Sequence, residues 1–209
     1  MEAPPFRQMV VGAVRARLAS HGGDGKDEGE SAILQDKEVH MDDCLQVIMR
    51  RRSIRKFTGE PIPKETIIMA LKAAMAAPSG MNRQPWSFLV VTKKETITSL
   101  CRAHSHASFG VDAGAVILPF GVKEGQKWFE QDMAAATENL LIALANLGLG
   151  ATWCGMDEDR QHDIRPLVGL PDDEFVFALI PVGIPAEEKP ARTQYDEDRV
   201  HWNEYRARP

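Results

Sequence analysis

The spacing of hydrophobic residues along the chain predicts helices that alternate with short buried strands. Apolar residues recur every three or four positions where a helix buries one face, and they form short unbroken runs where a strand is buried on both faces. The first predicted helix follows the N-cap Asp42 and carries Leu45, Ile48 and Met49 on one face. The second carries Ile67, Leu71, Ala74 and Met75. Three further helices are predicted over residues 93–102, 129–147 and 159–168. The predicted strands cover residues 87–91, 115–120, 151–154 and 175–182.

The helix predicted for residues 129–147 is the longest of these elements. Its alanine, leucine and isoleucine residues leave few polar faces, so we expect it to be the central buried helix. Gly148 and Gly150 are expected to end it. Because helices and strands alternate irregularly and no internal repeat is visible, the pattern alone indicates one α/β or α+β domain.

Both ends of the chain differ from this core. Residues 21–30 are rich in glycine and charge, which is typical of a flexible linker. Residues 1–40 are therefore predicted to be an N-terminal extension, or else sequence upstream of a start at Met41. From Pro185 the chain turns polar with isolated aromatic residues, which indicates an extended arm over residues 185–209. The main domain is predicted to be residues 41–209, arm included.

Composition narrows the functional classes. Of 209 residues, 44% are hydrophobic and 26% charged, and the net charge is −5, which argues against a surface devoted to nucleic acid or anionic lipid. The three cysteines are widely spaced, so neither a disulfide framework nor a zinc site is expected, and a reducing cytoplasm fits the chain best. No apolar run has the length of a membrane helix, and we expect no membrane association.

A cluster of basic residues, RRRSIRKF at 50–57, lies where the first helix is expected to end. Cations there complement the negative end of the helix dipole, and the cluster also fits a solvated patch or a nucleic-acid contact. In an extended segment, however, Arg51, Ser53 and Arg55 lie on one side of the backbone. Their guanidinium groups and hydroxyl would form a clamp for a phosphomonoester, because arginine offers paired donors to phosphate oxygens.

A proline-rich loop, PSGMNRQPW at 78–86, is predicted between a helix and a strand. Taken alone, such a segment indicates only a turn. The loop also groups Asn82 and Gln84, whose amides both donate and accept hydrogen bonds and so suit the carbonyl and N–H edge of a flavin's pyrimidine ring. Trp86 fits either a core anchor for the next strand or a pocket wall.

Other functional motifs do not fit the sequence. Gly148-Leu149-Gly150 follows a helix rather than a strand and lacks the third glycine of a dinucleotide-binding loop. There is no Walker loop, no HExxH motif and no nucleophile elbow. The histidines are scattered, and we expect His104 and His106 to be exposed rather than to flank a pocket.

Taken in order, these segments resemble the FMN-dependent nitroreductase family. RRSIRKF resembles the phosphate-binding opening of that family, and APSGMNRQPWSFLVV resembles its flavin-contacting loop and the strand that follows. AAATENLLIALANLGLGATWCGM is similar to its long central helix and the turn after it, and FALIPVGIPAEEKPAR to its last core strand and the start of its C-terminal arm. The resemblance covers roughly residues 42–192.

The resemblance implies an α+β fold with a mixed, mostly antiparallel central sheet flanked by helices, and a C-terminal arm exchanged in a homodimer. It implies one FMN per active site, at the dimer interface. By the same resemblance, the phosphate and ribityl end would be held by Arg51, Ser53, Arg55, Lys189 and Arg192, with Arg52 contributing mainly through its backbone. The isoalloxazine would be contacted by Pro78, Ser79, Asn82, Gln84, Trp153, Cys154 and Gly155. No residue is expected to bind a metal.

The function implied is electron transfer from NADH or NADPH to a small organic acceptor, nitroaromatic or quinone-like, by a ping-pong cycle. FMN carries such chemistry itself, so no catalytic acid or base is expected from the protein. Two alternatives stay open. One is a flavin-dependent dehalogenase or flavin-fragmenting enzyme on the same scaffold, and the other is a non-catalytic FMN-binding protein.

Overall fold

A computed structural model describes residues 44–192 and 194–205 of the chain. The α-helices are α1 (Cys44–Arg50), α2 (Lys64–Met75), α3 (Lys94–Ala103), α4 (Phe129–Asn146) and α5 (Glu158–Val168). The strands are β1 (Ser87–Val91), β2 (Ala115–Val122), β3 (Gly150–Ala151), β4 (Cys154–Gly155), β5 (Glu174–Val176) and β6 (Ala178–Gly183). Short 3-10 turns cover Gly80–Asn82, Ser108–Asp112 and Glu197–Arg199.

The strands form one sheet around β2 and β6. Its order is β1-β2-β6-β3, with β4 also paired to β6 and β5 paired to β2, and each of these ladders is antiparallel. A parallel bridge joins Ser53 to Ala151 at the edge of β3. The predicted mixed, mostly antiparallel sheet flanked by helices is therefore confirmed.

Alternating side chains of β2 build the two halves of the core. Ala115 and Ile117 pack with residues of α2 and α4 on one face, whereas Val116 and Leu118 pack with residues of α3 and α5 on the other. Because successive strand residues point to opposite faces, an unbroken apolar run such as β2 is buried on both sides. The domain is thus a three-layer structure with the sheet in the middle.

Local sequence explains where the best-defined helix, α5, begins and ends. The Asp157 side chain accepts the Arg160 N–H as an N-cap, and Gly169 ends the helix in the left-handed conformation with φ 70°. The central helix α4 is confirmed, with eight of its residues buried. The predicted N-cap Asp42 lies outside the described residues, as do residues 1–40.

The prediction of one strand over residues 175–182 is wrong in detail. Phe120 pairs with Val176 and Ile117 pairs with Ile180, so residues 177–179 lie opposite only two residues of β2. One strand therefore has one residue more than its partner, which is a β-bulge, and this bulge divides the predicted strand into β5 and β6. The strand predicted at 151–154 is also divided, into β3 and β4, although both pieces pair with β6.

The described residues contain no helix long and apolar enough to cross a membrane. Among them, no group of three or more histidine, cysteine, aspartate or glutamate residues is placed to hold a metal ion.

Candidate functional site

The basic segment at residues 51–57, called here the clamp segment, is fixed along the edge of the sheet. Ser53 forms the parallel bridge to Ala151, and the Ile54 N–H donates to the Ala151 carbonyl at 3.0 Å. The buried hydroxyl of Thr152 donates to the Ile54 carbonyl at 2.6 Å. The backbone of the clamp segment therefore has little freedom, although its arginines extend from it.

Residues 184–192, called here the strap, run antiparallel beside residues 49–58 of the same chain. The same register holds almost from end to end. Three backbone N–H groups donate to carbonyls across the two segments, and one bridge and one side-chain hydrogen bond lie between them. The pairs are Thr58–Ile184, Ala186–Lys56 and Arg192–Met49 for the backbone, Phe57–Pro185 for the bridge, and the Arg52 side chain with the Pro190 carbonyl. Residues 185–192 thus pack on their own chain. Exchange of the arm, residues 185–209, with a partner stays a prediction.

The strap brings one cation directly to the clamp segment. Lys189 Nζ donates to the Ser53 carbonyl at 2.6 Å and lies 3.2 Å from Glu187 Oε1. The same carboxylate accepts the Arg55 N–H at 2.5 Å. The Arg55 N–H bond, assisted by Lys189, lowers the pKa of Glu187 from its usual range. Lys189 thus lies beside the clamp segment, and its contact with a flavin phosphate stays a prediction.

The two arginines expected to converge have different neighbours. Arg51 Nε lies 3.1 Å from Glu138 Oε1 of α4, an ion pair without the alignment of a hydrogen bond. The Arg55 guanidinium lies over the Phe109 ring, 5.6 Å from its centroid. Their convergence on one phosphate stays a prediction, and it requires both side chains to turn toward the ligand.

Two further predicted contacts differ from their expected form. Arg52 was expected to act mainly through its backbone, yet its side chain holds the strap at the Pro190 carbonyl. Arg192 contacts the end of α1, just before the clamp segment, because its N–H donates to the Met49 carbonyl at 2.9 Å. Its guanidinium instead donates to Gln194 Oε1 at 2.6 Å.

The loop at residues 78–84 has an unusual backbone. Met81, Asn82 and Gln84 all have positive φ, at 54°, 55° and 48°. Such angles are uncommon outside glycine and mark strained turns. The Ser79 hydroxyl accepts the Gln84 N–H at 2.9 Å, while Pro78, Asn82 and Gln84 are exposed. The loop therefore presents its amide side chains outward on a braced backbone.

Helix α4 supports both the loop and the clamp segment. Asp132 Oδ1 accepts the Gly80 N–H at 2.8 Å, and Glu138 pairs with Arg51 six residues further along the helix. At 1.5 Å per residue, these two supports are about 9 Å apart along the axis. Among the described residues, no hydrogen bond or ion pair joins the loop directly to the clamp segment.

Residues 153–155 line the same edge of the sheet as the clamp segment. Trp153 packs on Phe177 with ring centroids 5.4 Å apart, and Gly155 is exposed, with open space where a Cβ would lie. The Cys154 thiol is buried and donates to the His106 carbonyl at 3.7 Å. Burial raises its pKa to about 11, although the Arg55 charge partly offsets this. Cys154 can face a ligand only through its backbone.

The expectation that His104 is exposed is wrong. Its side chain is 1% exposed; Nε2 lies 2.8 Å from the Gly155 carbonyl, and Nδ1 accepts the His106 N–H at 3.2 Å. A carbonyl only accepts, so Nε2 carries the proton and the ring is neutral. His104 thus fixes the carbonyl of a predicted site residue, whereas His106 is exposed as expected.

A different concavity, of about 380 Å³, is lined by charged side chains and includes none of the predicted site residues. Lys123 there pairs with Glu130 and Glu158 at 3.2 and 3.1 Å, and these carboxylates raise its pKa. Arg165 donates to the Asp172 carbonyl. Its cations are paired with acidic residues, as Arg51 and Lys189 are, and none of the residues that line this concavity was predicted to bind a ligand.

Comparison with known proteins gives one consistent family. A sequence profile of the nitroreductase family matches residues 48–113 and 102–184. A protein of Methanothermobacter thermautotrophicus, provisionally named as an NADH dehydrogenase/NAD(P)H nitroreductase, is 37% identical over 171 residues. The alignment spans 79% of this chain and 90% of that protein.

Two solved structures share the fold. One is an FMN-dependent nitroreductase from Clostridium difficile, 28% identical with a TM-score of 0.72, covering 77% of this chain and 99% of its own. The other is an oxidised iodotyrosine deiodinase bound to FMN and 3-iodo-L-tyrosine, 26% identical with a TM-score of 0.68. That alignment covers 78% of this chain and 100% of the deiodinase chain.

Proposed function

Because this chain belongs to the nitroreductase family, we propose that it binds FMN and uses it to pass electrons from NADH or NADPH to a small organic acceptor. The family makes it an oxidoreductase. We propose a nitroaromatic or quinone-like acceptor and action in the cytoplasm.

The observation that carries the proposal is the contact between Lys189 and Ser53. It places an ammonium group against a segment that also carries Arg51 and Arg55, so three cations belong to or contact one short stretch of backbone. Such a donor set fits the doubly charged phosphate of a mononucleotide, because charge-assisted hydrogen bonds are the strong ones. The residues present therefore fit the phosphate end of FMN.

We assign roles to the individual residues from the family resemblance and from their positions in the fold. Arg51, Ser53, Arg55 and Lys189 would hold the phosphate, and Arg52 and Arg192 would tie the strap to the clamp segment. Pro78, Ser79, Asn82 and Gln84 would contact the flavin ring from the braced loop, and Trp153, Cys154 and Gly155 from the sheet edge. Bound FMN supplies two-electron chemistry, and these residues bind it, orient it and leave one face open.

We propose that the site is completed in a homodimer. Large apolar side chains near the clamp segment and the loop are exposed, including Leu45 at 68% and Met81 at 84%. The aromatic residues of the arm, Tyr195, Trp202 and Tyr205, are also exposed. Apolar surface of this kind supports a subunit interface. Light scattering that found an FMN-bound monomer would contradict the dimer.

A flavin-dependent dehalogenase is the second candidate, and the likeness to the deiodinase structure favours it. A non-catalytic flavin carrier is the third. Reduction assays with a nitroaromatic, a quinone and a halogenated phenol, each with NADH and NADPH, separate the first two. A protein that keeps its flavin oxidised in the presence of both nicotinamides would be a carrier.

The clamp is tested by replacing Arg51 and Arg55 together with alanine. We expect a folded protein that purifies without flavin colour, because the phosphate loses two of its three cations. Lys56→Ala is the matched control, since it removes a cation from the same cluster while its exposed side chain makes no described contact. Stoichiometric FMN in the double variant would refute the clamp, and nucleic acid in the preparation would point to an RNA-binding patch.

A further inference from the structure

The carboxylate of Glu187 links the strap to the clamp segment at the point where a phosphate would bind. Its Oε1 accepts the Arg55 N–H at 2.5 Å and lies 3.2 Å from Lys189 Nζ. The side chain is 18% exposed. An acidic residue inside a cluster of cations is unexpected for an anion site and calls for a physical reason.

The donors of Lys189 suggest that reason. An ammonium group has three N–H donors and no acceptor, on a stem with four rotatable bonds. Here one donor is used by the Ser53 carbonyl at 2.6 Å and a second is directed to Glu187. The two acceptors come from different segments, the clamp segment and the strap. Together they restrict the rotation of the ammonium and leave one donor for a ligand.

We propose that Glu187 is a positioning residue that orients Lys189 toward the phosphate of the flavin mononucleotide. The inference rests on the proposed function. Glu187 itself does not touch the phosphate. It holds the ammonium in place before the ligand arrives, so less side-chain freedom is lost on binding.

The sign of the effect distinguishes this role from simple electrostatics. A carboxylate near a phosphate repels it, so neutralising Glu187 would tighten FMN binding if charge alone mattered. If Glu187 orients Lys189, the same change weakens FMN binding, because a neutral acceptor holds the ammonium in place less firmly than a carboxylate does. The two explanations therefore predict opposite shifts in the dissociation constant.

The experiment measures the dissociation constants of FMN and of riboflavin, which lacks the phosphate, by quenching of flavin fluorescence. We expect Glu187→Gln to weaken FMN binding about tenfold, because a neutral amide oxygen holds the Lys189 ammonium less strongly than a carboxylate does, and to leave riboflavin binding unchanged. A merely structural role for Glu187 would weaken both ligands equally. Glu187→Asp, which keeps the charge but shortens the side chain, should give an intermediate value for FMN.

Glu188→Gln is the matched control. It removes the same charge one residue away, and its exposed side chain makes no described hydrogen bond or ion pair. We expect FMN binding in this variant to be unchanged or slightly tighter. Lys189→Met completes a double-mutant cycle: Glu187→Gln should no longer weaken FMN binding once Lys189 is gone.

The inference would be overturned if Glu187→Gln bound FMN as tightly as the unaltered protein or more tightly. It would also be overturned if Glu187→Gln weakened FMN binding as much in the Lys189→Met variant as in the unaltered protein. Failure of the proposed flavin binding gives a different result, because the unaltered protein would then bind neither FMN nor riboflavin. A circular dichroism spectrum of each variant shows that it is folded. If Glu187→Gln does not fold, Glu187→Asp replaces it, both alone and combined with Lys189→Met. Weaker FMN binding by Glu187→Asp only when Lys189 is present would support the inference, and any other result would overturn it.

Discussion

The hydroxyl of Thr152 donates to the carbonyl of Ile54 across a distance of 2.6 Å, in a position that is closed to solvent. Thr152 lies between β3 and β4, and Ile54 lies in the middle of the clamp segment. One buried hydrogen bond therefore joins the two segments that we propose to hold opposite ends of the flavin.

Replacing Thr152 by valine should destabilise the protein and loosen the clamp segment. The shape is kept, but the Ile54 carbonyl loses its buried donor, which costs about 1–3 kcal/mol of unfolding free energy. Urea denaturation of the apoprotein measures the loss, and faster FMN release should accompany it. Thr92→Val, at an exposed loop position, is the control and should change neither quantity. Unchanged stability of Thr152→Val would show that the bond contributes nothing.

Replacing Gly80 by alanine should displace the loop that carries Asn82 and Gln84. A Cβ at residue 80 would lie 2.6 Å from Trp128 Cδ1, so the indole or the loop must move. We expect a loss of about 1–3 kcal/mol in unfolding free energy and a shifted absorbance spectrum of bound flavin. Adding Trp128→Ala removes the obstruction and should restore the spectrum. A double variant as perturbed as Gly80→Ala alone would assign the effect to the backbone instead.

Replacing His104 by alanine should be among the most damaging single changes near the site. It opens a cavity and leaves the Gly155 carbonyl and the His106 N–H without their partner, for a loss of about 3 kcal/mol. His104→Gln should cost less, because an amide can still donate to the carbonyl. His106→Ala, which removes only an exposed ring, should cost under about 0.5 kcal/mol. Equal losses in the two alanine variants, measured in urea, would contradict this assignment.

The buried cysteines Cys101 and Cys154 should make the protein less stable in alkali. Burial raises the pKa of Cys101 to about 12 and that of Cys154 to about 11. Near pH 9 the unfolded thiols, with pKa about 8.5, release protons that the folded thiols keep, so stability falls as pH rises. The decline can reach about 1.4 kcal/mol per pH unit for each thiol. Denaturation between pH 7 and pH 10 measures it.

Replacing Cys101 and Cys154 together by alanine should remove that alkaline decline. In the native protein, both thiols should also resist iodoacetamide at pH 8.5, because the reactive thiolate is scarce and buried. Mass spectrometry of the labelled peptides reads each cysteine separately. Rapid native labelling of Cys154 would mean that its side chain faces the site rather than the core.

The hydrophobic pattern alone predicted the helices and strands because a buried face requires apolar residues at regular positions in the sequence. The run Ala115–Leu118 is apolar at every position, and the structure places its alternate residues in two core clusters. The β-bulge at residue 177 left no such record, since residues 175–182 are apolar throughout and only pairing with β2 reveals the extra residue.

From the residues alone, the candidate site could be predicted only where its members are close in sequence, and the resemblance added the distant ones such as Lys189. Arg51, Ser53 and Arg55 could be grouped by their spacing, but the Arg51 contact with Glu138 depends on how α4 packs. The burial of His104 depends on a carbonyl 51 residues further along the chain. The register of the strap, which places Glu187 and Lys189 on the clamp segment, joins residues more than 130 positions apart.

The most direct test of the central claim is an anaerobic titration of the purified, FMN-loaded protein with NADH and with NADPH. The account predicts that one of them bleaches the oxidised flavin band with about one equivalent per bound flavin, since each transfers two electrons. A quinone or nitroaromatic added afterwards should restore the band. A flavin band that persists with both nicotinamides, or a protein that binds no FMN, would contradict the assignment as an oxidoreductase of this kind.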